Sequence, residues 1–386
     1  MRKYKLAVIG TGPRSRSYLK TWMREKDIEI CAIADLSPET RQSAKEQCSL
    51  SGSVREYGDW RELNSCEREL DGAAIILPNH LHHDAALAFL KRGIPIMLEK
   101  PMTTTMKDSE DILRLVSETH GRVLMGYVLR SVEFYKQAHA LLESGVIGNI
   151  VSVQMDELAG LYETSAIQRG EWRRQTCMSG GAMMEKCSHD MDILAWFAGG
   201  RPTALNSFGG SRIFRPNPML PDQCRECHLE KECIYFKEDA LCIWNADKDV
   251  ADTQSVNMEF SNGIVANFML TFHCFGERAG RNLHLVGTRG RLWGNAEMNE
   301  LAYQVNGENE ARRVSLPVHA SGHYGGDEPH ALEFLKLVRD PSYRPRQDAY
   351  AGYLSNAMCI AADLSMSEGR RVRFHYDADG FLSFSS

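Results

Sequence analysis

Three sets of side chains in this sequence are spaced to do chemistry. The first is Gly10-Thr11-Gly12-Pro13-Arg14-Ser15, with Asp35 lying 20 residues beyond Ser15. Gly10 permits a tight bend from a strand into a helix, and Gly12 lets the main chain approach a pyrophosphate at the helix N-terminus. Ser15 stands where a third glycine is usual and is small enough for close helix packing. An acid at position 35 accepts both hydroxyls of a ribose and repels a 2′-phosphate, which favours NAD over NADP. Arg14, Arg16 and Arg41 keep the phosphorylated cofactor open. Glycine turns are common, so this reading draws its weight from context: a strand before the turn, a helix after it, and Asp35 at the end of the next strand.

The second set is Glu185, His189 and Asp192, which fall at i, i+4 and i+7 of a helical stretch from Ala182 to Phe197. Met184, Cys187, Met191 and Leu194 give that stretch an apolar seam. The same three ionisable groups also fit a solvated face. Their position after Trp172-Arg173 and Gly180-Gly181 favours an active-site role, for His189 above all. The third set is Cys224, Cys227, Cys233 and Cys242, spaced C-x2-C-x5-C-x8-C behind the proline-rich run 215–221. Four thiolates can close a tetrahedral zinc site, with His228 able to replace one sulfur. An iron–sulfur cluster would use the same ligands, and a loop of incidental reduced cysteines, or one disulfide, fits the spacing too. A metal would tie down a loop without a core of its own.

The elements that must position these groups are legible in the apolar pattern. Lys5–Ile9, Ile28–Ala34, Ala73–Leu77, Ile94–Leu98 and Val123–Met125 read as buried strands, with helical segments between them. Alternation of this kind predicts a doubly wound parallel sheet, an α/β Rossmann domain over residues 1–125. Beyond it, Val151–Met155, Thr253–Phe260, Ile264–Phe272 and Asn282–Val286 read as strands with one wet face, and Asn262-Gly263 as a hairpin turn. Residues 126–386 are therefore expected to form an α+β domain with a largely antiparallel sheet, interrupted by the cysteine-rich insertion around 215–245. Helices are expected over Pro329–Val338 and Tyr353–Ser367, while Thr103, Thr104, Thr105 and Ser109 read as helix-capping residues.

Composition narrows the classes. With 386 residues, 43% hydrophobic and 25% charged, the chain has the makeup of a globular protein long enough for two cores. A formal net charge of -6 argues against nucleic acid as a partner, and no apolar run is long enough to span a membrane. Eleven scattered cysteines suit a reducing cytoplasm. The N-terminal apolar run is too short for an export signal. The lone histidines His120, His139 and His375 read as surface or core residues.

Two further segments stand at strand ends: Leu77-Pro78-Asn79-His80-Leu81-His82-His83 and Met97-Leu98-Glu99-Lys100-Pro101-Met102. Glu99-Lys100-Pro101 closely resembles the E-K-P signature of the glucose–fructose oxidoreductase and inositol dehydrogenase (Gfo/Idh/MocA) family. The likeness continues through Gly126-Tyr127-Val128-Leu129-Arg130, Gly145-Val146-Ile147-Gly148, Trp172-Arg173, the Glu185–Asp192 block, His323–Asp327 and Ser365–Arg370. It implies an NAD-dependent oxidoreductase moving hydride between the nicotinamide and a sugar or polyol carbinol. By that resemblance Lys100, His189 and Glu185 are the catalytic candidates, Glu185 replacing the usual aspartate. Gly10, Thr11, Gly12, Pro13, Arg14, Ser15, Asp35, Pro78, Asn79, His82, Glu99 and Lys100 would hold the cofactor, with Asn79 and His82 at the nicotinamide ribose. Tyr127, Arg130, Trp172, Arg173, Asp192 and His323 would contact substrate. Lys186 either draws Glu185 into an ion pair or adds a charge at the pocket. Some members of the family instead hydrolyse glycosides by transient oxidation at the sugar 3-position, and this alternative stays open. Retention of Lys100, His189 and Asp35 argues against a non-catalytic NAD-binding regulator. The resemblance also implies a homodimer or homotetramer.

Overall fold

The computed structural model describes residues 2–318 and 322–386, and the chain divides into two compact units. The first comprises Met1–Val132 together with His319–Asn356. Its sheet contains β1 (Tyr4–Ile9), β2 (Ile28–Ala34), β3 (Arg55–Tyr57), β4 (Gly72–Ile75), β5 (Ile96–Leu98) and β6 (Val123–Met125). All pairs are parallel, in the order β3-β2-β1-β4-β5-β6. The chain steps outward from β1 to one edge and then restarts at β4 on the other side. The carboxyl ends of β1 and β4 therefore flank the crevice where doubly wound sheets bind ligands. The apolar pattern misses β3, because Arg55-Glu56-Tyr57 is a polar edge strand and carries no buried run.

Residues 319–356 belong to this unit for a packing reason that a linear division at residue 125 leaves out. Helix Pro13–Trp22 buries Tyr18, Leu19 and Trp22, and its partner is helix Asp327–Arg339. The Trp22 indole donates to the Ala331 carbonyl at 2.9 Å and its ring lies 5.5 Å from that of Phe334.

The second unit comprises Glu133–Val318 and Ala357–Ser386. Its strands are β7 (Ile150–Ala159), β8 (Pro202–Gly210), β9 (Thr253–Phe260), β10 (Val265–Phe272), β11 (Gly280–Gly287), β12 (Gly290–Asn295), β13 (Glu300–Val305), β14 (Arg312–Val314), β15 (Val372–Tyr376) and β16 (Leu382–Ser385). They form one sheet ordered β14-β13-β12-β11-β7-β10-β9-β8-β15-β16, antiparallel except where β10 runs beside β7. The β9–β10 hairpin turns at Asn262-Gly263, where Gly263 has φ +85°. Helix Ala182–Ala198 packs against β7 and β10.

The insertion departs from expectation, since it does have a nucleus. Phe214, Tyr235 and Trp244 meet edge-on with centroids 5.5 to 6.0 Å apart. The buried Asp252 carboxylate accepts the amides of Arg212, Ile213 and Phe214 at 2.8 to 3.0 Å. No described helix is long and apolar enough to cross a membrane.

Candidate active site

In the first unit, the residues after successive strands converge at the carboxyl edge of the sheet. Gly10 follows β1, Asp35 follows β2, Pro78 and Asn79 come after β4, Glu99 and Lys100 after β5, and Tyr127 after β6. The two glycines of the first turn do different work. Gly10 has φ +89°, and a Cβ there would lie 2.1 Å from the Ile76 carbonyl oxygen, so only glycine fits. A Cβ at Gly12 would meet nothing within 4 Å. Gly12 caps helix Pro13–Trp22 without a side-chain cap, and Pro13 opens it. The helix thus presents unsatisfied amides to open space, which is what a pyrophosphate requires. Buried Ser15 donates to the Gly12 carbonyl at 2.8 Å and fixes the turn. Asp35 accepts from the Thr11 amide at 2.8 Å and from the Ser37 amide at 3.0 Å, so its carboxylate is held over the glycine turn. These residues fit an NAD-type dinucleotide.

Lys100 sits on a loop anchored from several sides. Its peptide bond to Pro101 is cis, and its amide donates to Glu99 Oε2 at 3.1 Å. The buried ring of His82 places one nitrogen 2.8 Å from the Pro101 carbonyl and the other 2.8 Å from the Leu77 carbonyl. Asn356 receives the Met102 amide and donates to the Thr103 carbonyl at 2.9 Å.

Beneath this loop lies a charged cluster. Arg14 Nε donates to Glu99 Oε1 and its Nη1 to Asp327 Oδ1, both at 2.7 Å. Tyr18 also donates to Glu99 at 2.7 Å, while His323 stands 3.0 Å from Asp327. Burial by itself would push the Glu99 carboxyl up, but Arg14, Tyr18 and Lys100 outweigh it and hold it at about 2.

In the second unit, Gly180 and Gly181 turn the chain into helix Ala182–Ala198 with φ of +83° and +94°. Glu185, His189 and Asp192 are all buried, which removes the solvated-face reading. Glu185 accepts from Arg173 Nε at 2.8 Å, and the Arg173 guanidinium lies over the Trp172 ring at 4.4 Å. Lys186 pairs with Glu157 at 3.3 Å, not with Glu185, and so joins a buried network in which Arg281 bridges Glu157 at 2.9 Å and Asp190 at 2.7 Å. Burial pushes the Asp190 carboxyl up to about 6, with Arg281 opposing and Glu157 adding to the rise.

Comparison with known proteins bears on both units. Residues 4–127 match the family model described as an oxidoreductase family with an NAD-binding Rossmann fold, and residues 135–293 match the GFO/IDH/MocA C-terminal domain. The chain belongs to the Gfo/Idh/MocA oxidoreductase family. Among relatives of this family member, the Bacillus subtilis protein YteT is 25% identical over 88% of each chain. A 2,7-anhydro-N-acetylneuraminate hydratase from Mediterraneibacter gnavus is 24% identical over 55% of this chain and 54% of its own. A structure of levoglucosan dehydrogenase with NADH and levoglucosan shares the fold, with a TM-score of 0.79 at 20% identity over 96% of this chain and 99% of that one.

Several residues expected at ligands also have protein partners in this Gfo/Idh/MocA member. Arg14 pairs with both Glu99 and Asp327. His82, with both ring nitrogens against main-chain carbonyls, ties two loops together. His323 joins the Arg14–Asp327 cluster within the first unit. Arg130 donates to the Arg346 carbonyl at 3.1 Å, and Tyr127 is fully buried. Sequence reasoning missed Tyr18 and Asn356, along with the Glu157–Arg281–Asp190 network, and gave Asp327 only as part of the family likeness. The signal for Glu157 was present: Val153, Met155, Glu157 and Ala159 share the buried face of β7. A charge in that series marks a buried ion pair, but a pattern that ends a strand at the first charge stops at Met155.

Proposed function

We propose that this protein transfers hydride between NAD and a carbinol of a sugar or polyol. The observation that carries the reading is Lys100, held half-buried on a multiply anchored loop at the same sheet edge as the Gly10–Gly12 turn and Asp35. Bound NAD supplies the hydride acceptor, its nicotinamide C4. Gly12 and the first turn of helix Pro13–Trp22 would take the pyrophosphate, and Asp35 the adenosine ribose. Lys100 would take and return the hydroxyl proton. His189, buried on helix Ala182–Ala198, would orient the hydroxyl or accept its proton. Glu185 would act through Arg173, keeping the Trp172-Arg173 pair in place for sugar contact, while Asp192 would contribute a buried acceptor. The levoglucosan dehydrogenase likeness supports a carbohydrate substrate. Exposed Phe208, Val265 and Val286 on the second sheet support self-association, which light scattering would measure as a dimer or tetramer.

The relation to a hydratase favours one second reading, a redox-neutral reaction on a glycoside that returns the hydride to the same sugar. One assay separates the two. The protein is incubated with NAD and free sugars, polyols or aryl glycosides, while NADH and released aglycone are followed together. NADH accumulation supports the dehydrogenase; NAD-dependent aglycone release without net NADH supports the alternative. Lys100→Ala should lower turnover about 10²- to 10⁴-fold while leaving NAD affinity near that of the wild type. Normal turnover in that variant would remove the mechanism.

A further inference from the structure

We infer that Glu157, Lys186, Asp190 and Arg281 are positioning residues, which together fix the roll of helix Ala182–Ala198 on its sheet and so aim Glu185 and His189. The inference rests on the function proposed above for those two side chains. Arg281 and Glu157 stand directly opposite one another in the β11–β7 ladder, and both are buried. From that pair Arg281 grips Asp190 with a fork, Nε to Oδ1 at 2.7 Å and Nη2 to Oδ2 at 3.2 Å. Glu157 takes Lys186 at 3.3 Å. The two helix anchors lie four residues apart, about one turn along the axis. Each directly follows a site residue: Lys186 comes after Glu185, and Asp190 after His189. Successive helical residues point about 100° apart, so pinning the Lys186–Asp190 stripe to the sheet sets the direction of the Glu185–His189 stripe.

The apolar part of the interface is poorly suited to this task. The helix buries Met183, Met184, Cys187 and Met191 completely. Unbranched, flexible thioethers fill gaps of many shapes and enforce no single angle. An atom about 6 Å from the helix axis moves about 1 Å for a roll of about 10°. An error of about 1 Å can cost about 10²-fold in rate. The planar, bidentate Arg281 fork resists that rotation where methionine does not. Burial works to raise the Glu157 carboxyl, yet Arg281 and Lys186 hold it below its usual range, so the strand offers the cations a charged partner. A buried ion pair adds little net stability over an apolar pair of the same volume; its use lies in specifying one arrangement. The network is therefore expected to govern turnover more than folding.

The cysteines of the insertion support no comparable case. Cys224, Cys227, Cys233 and Cys242 are free thiols that do not come within ligand spacing, so the expected tetrahedral site is not assembled. Among the described residues only His83, Asp108 and Asp111 bring three ligand atoms within 4.8 Å of one another, and there Lys107 already pairs with Asp111 at 2.9 Å.

The test replaces one charge-balanced pair by apolar side chains of similar size, Asp190→Leu with Arg281→Met, leaving Glu157 and Lys186 to pair with each other. The thermal midpoint should stay within about 4 °C of the wild type and NAD affinity within about twofold, while kcat falls about 10²-fold. In crystal structures of the two proteins, the helix of the double variant should be displaced on β7 by about 1 Å or more. Wild-type turnover at a preserved midpoint would overturn the inference, and so would lost turnover with the helix unmoved. If the double variant does not fold, Arg281→Lys keeps the charge and loses the fork. It should keep its midpoint and lose kcat at least about tenfold, an unchanged kcat again overturning the inference. A wild type without turnover on any sugar, polyol or glycoside would instead count against the proposed function. The displacement of the helix in the variant would then decide the positioning by itself.

Discussion

Replacing Arg14 with methionine tests whether the arginine in the glycine turn serves the cofactor or the fold. Arg14 neutralises Glu99 and Asp327, each 5% exposed. Removing one partner of a buried pair costs about 3–5 kcal/mol, because the charge left behind is uncompensated. The titration of Glu99 gives an independent figure. Moving its carboxyl from an ordinary 4.5 to about 2 is worth about 3 kcal/mol of preference for the charged folded form. Because the folded value lies below the unfolded one, this stability is present above pH 4.5 and is lost as the pH falls towards 2. Arg14→Met should therefore lose about 3–5 kcal/mol at neutral pH, seen as a midpoint lowered by roughly 6–12 °C. In acid the gap should narrow, since the variant can protonate Glu99 at little cost. Urea unfolding at pH 7 and pH 4, beside an NAD-binding isotherm, measures both effects. A stability loss under about 1 kcal/mol with NAD binding weakened tenfold or more would refute this account and return Arg14 to the cofactor.

The two turn glycines should part company on substitution. Gly12→Ala should fold normally and bind NAD at least about tenfold more weakly by calorimetry, because its methyl group enters only the space reserved for the pyrophosphate. Gly10→Ala should lose roughly 2 kcal/mol or more of stability as well, from the positive φ and the collision with Ile76. Asp35→Ala should weaken NAD and narrow the preference over NADP, read as the ratio of the two dissociation constants; an unchanged ratio would detach Asp35 from the ribose. Burial pushes the Asp363 carboxyl up to about 7, so its stabilising contribution is present below pH 4 and disappears as the pH rises through 7. Asp363→Asn should then be more stable than the wild type at pH 8, by up to about 4 kcal/mol, with the gain shrinking at pH 5.

Much of this was legible because apolar periodicity and glycine placement are local signals. The runs Ile28–Ala34, Thr253–Phe260 and Val123–Met125 emerged with the bounds their patterns gave, and the Asn262-Gly263 hairpin followed from two residues. What stayed hidden depends on pairing across the chain. Nothing near Arg14 announces Asp327, more than 300 positions away, so an arginine beside a glycine turn reads as a cofactor ligand. Likewise, Arg281 is the second residue of β11, just before the stretch that marks the strand, and its partners Glu157 and Asp190 come from elsewhere. Lys186 was undecidable beside Glu185 because adjacent helical residues point in different directions, and only the fold shows which strand each faces.

The discontinuity of the first unit also sets a timetable for synthesis. Trp22 and Tyr18 are among the first large aromatics to leave the ribosome, yet the residues that cover them, Ala331 and Phe334, follow only about 300 residues later. At roughly 5–20 residues per second, the nascent cofactor half carries an uncovered apolar helix face for about 15–60 s. Eight of the ten strands of the second sheet are translated within that interval. A chaperone holding the emerging N-terminal segment is thus the expected companion of production, and truncation before helix Asp327–Arg339 should yield aggregate, not a free-standing nucleotide-binding domain.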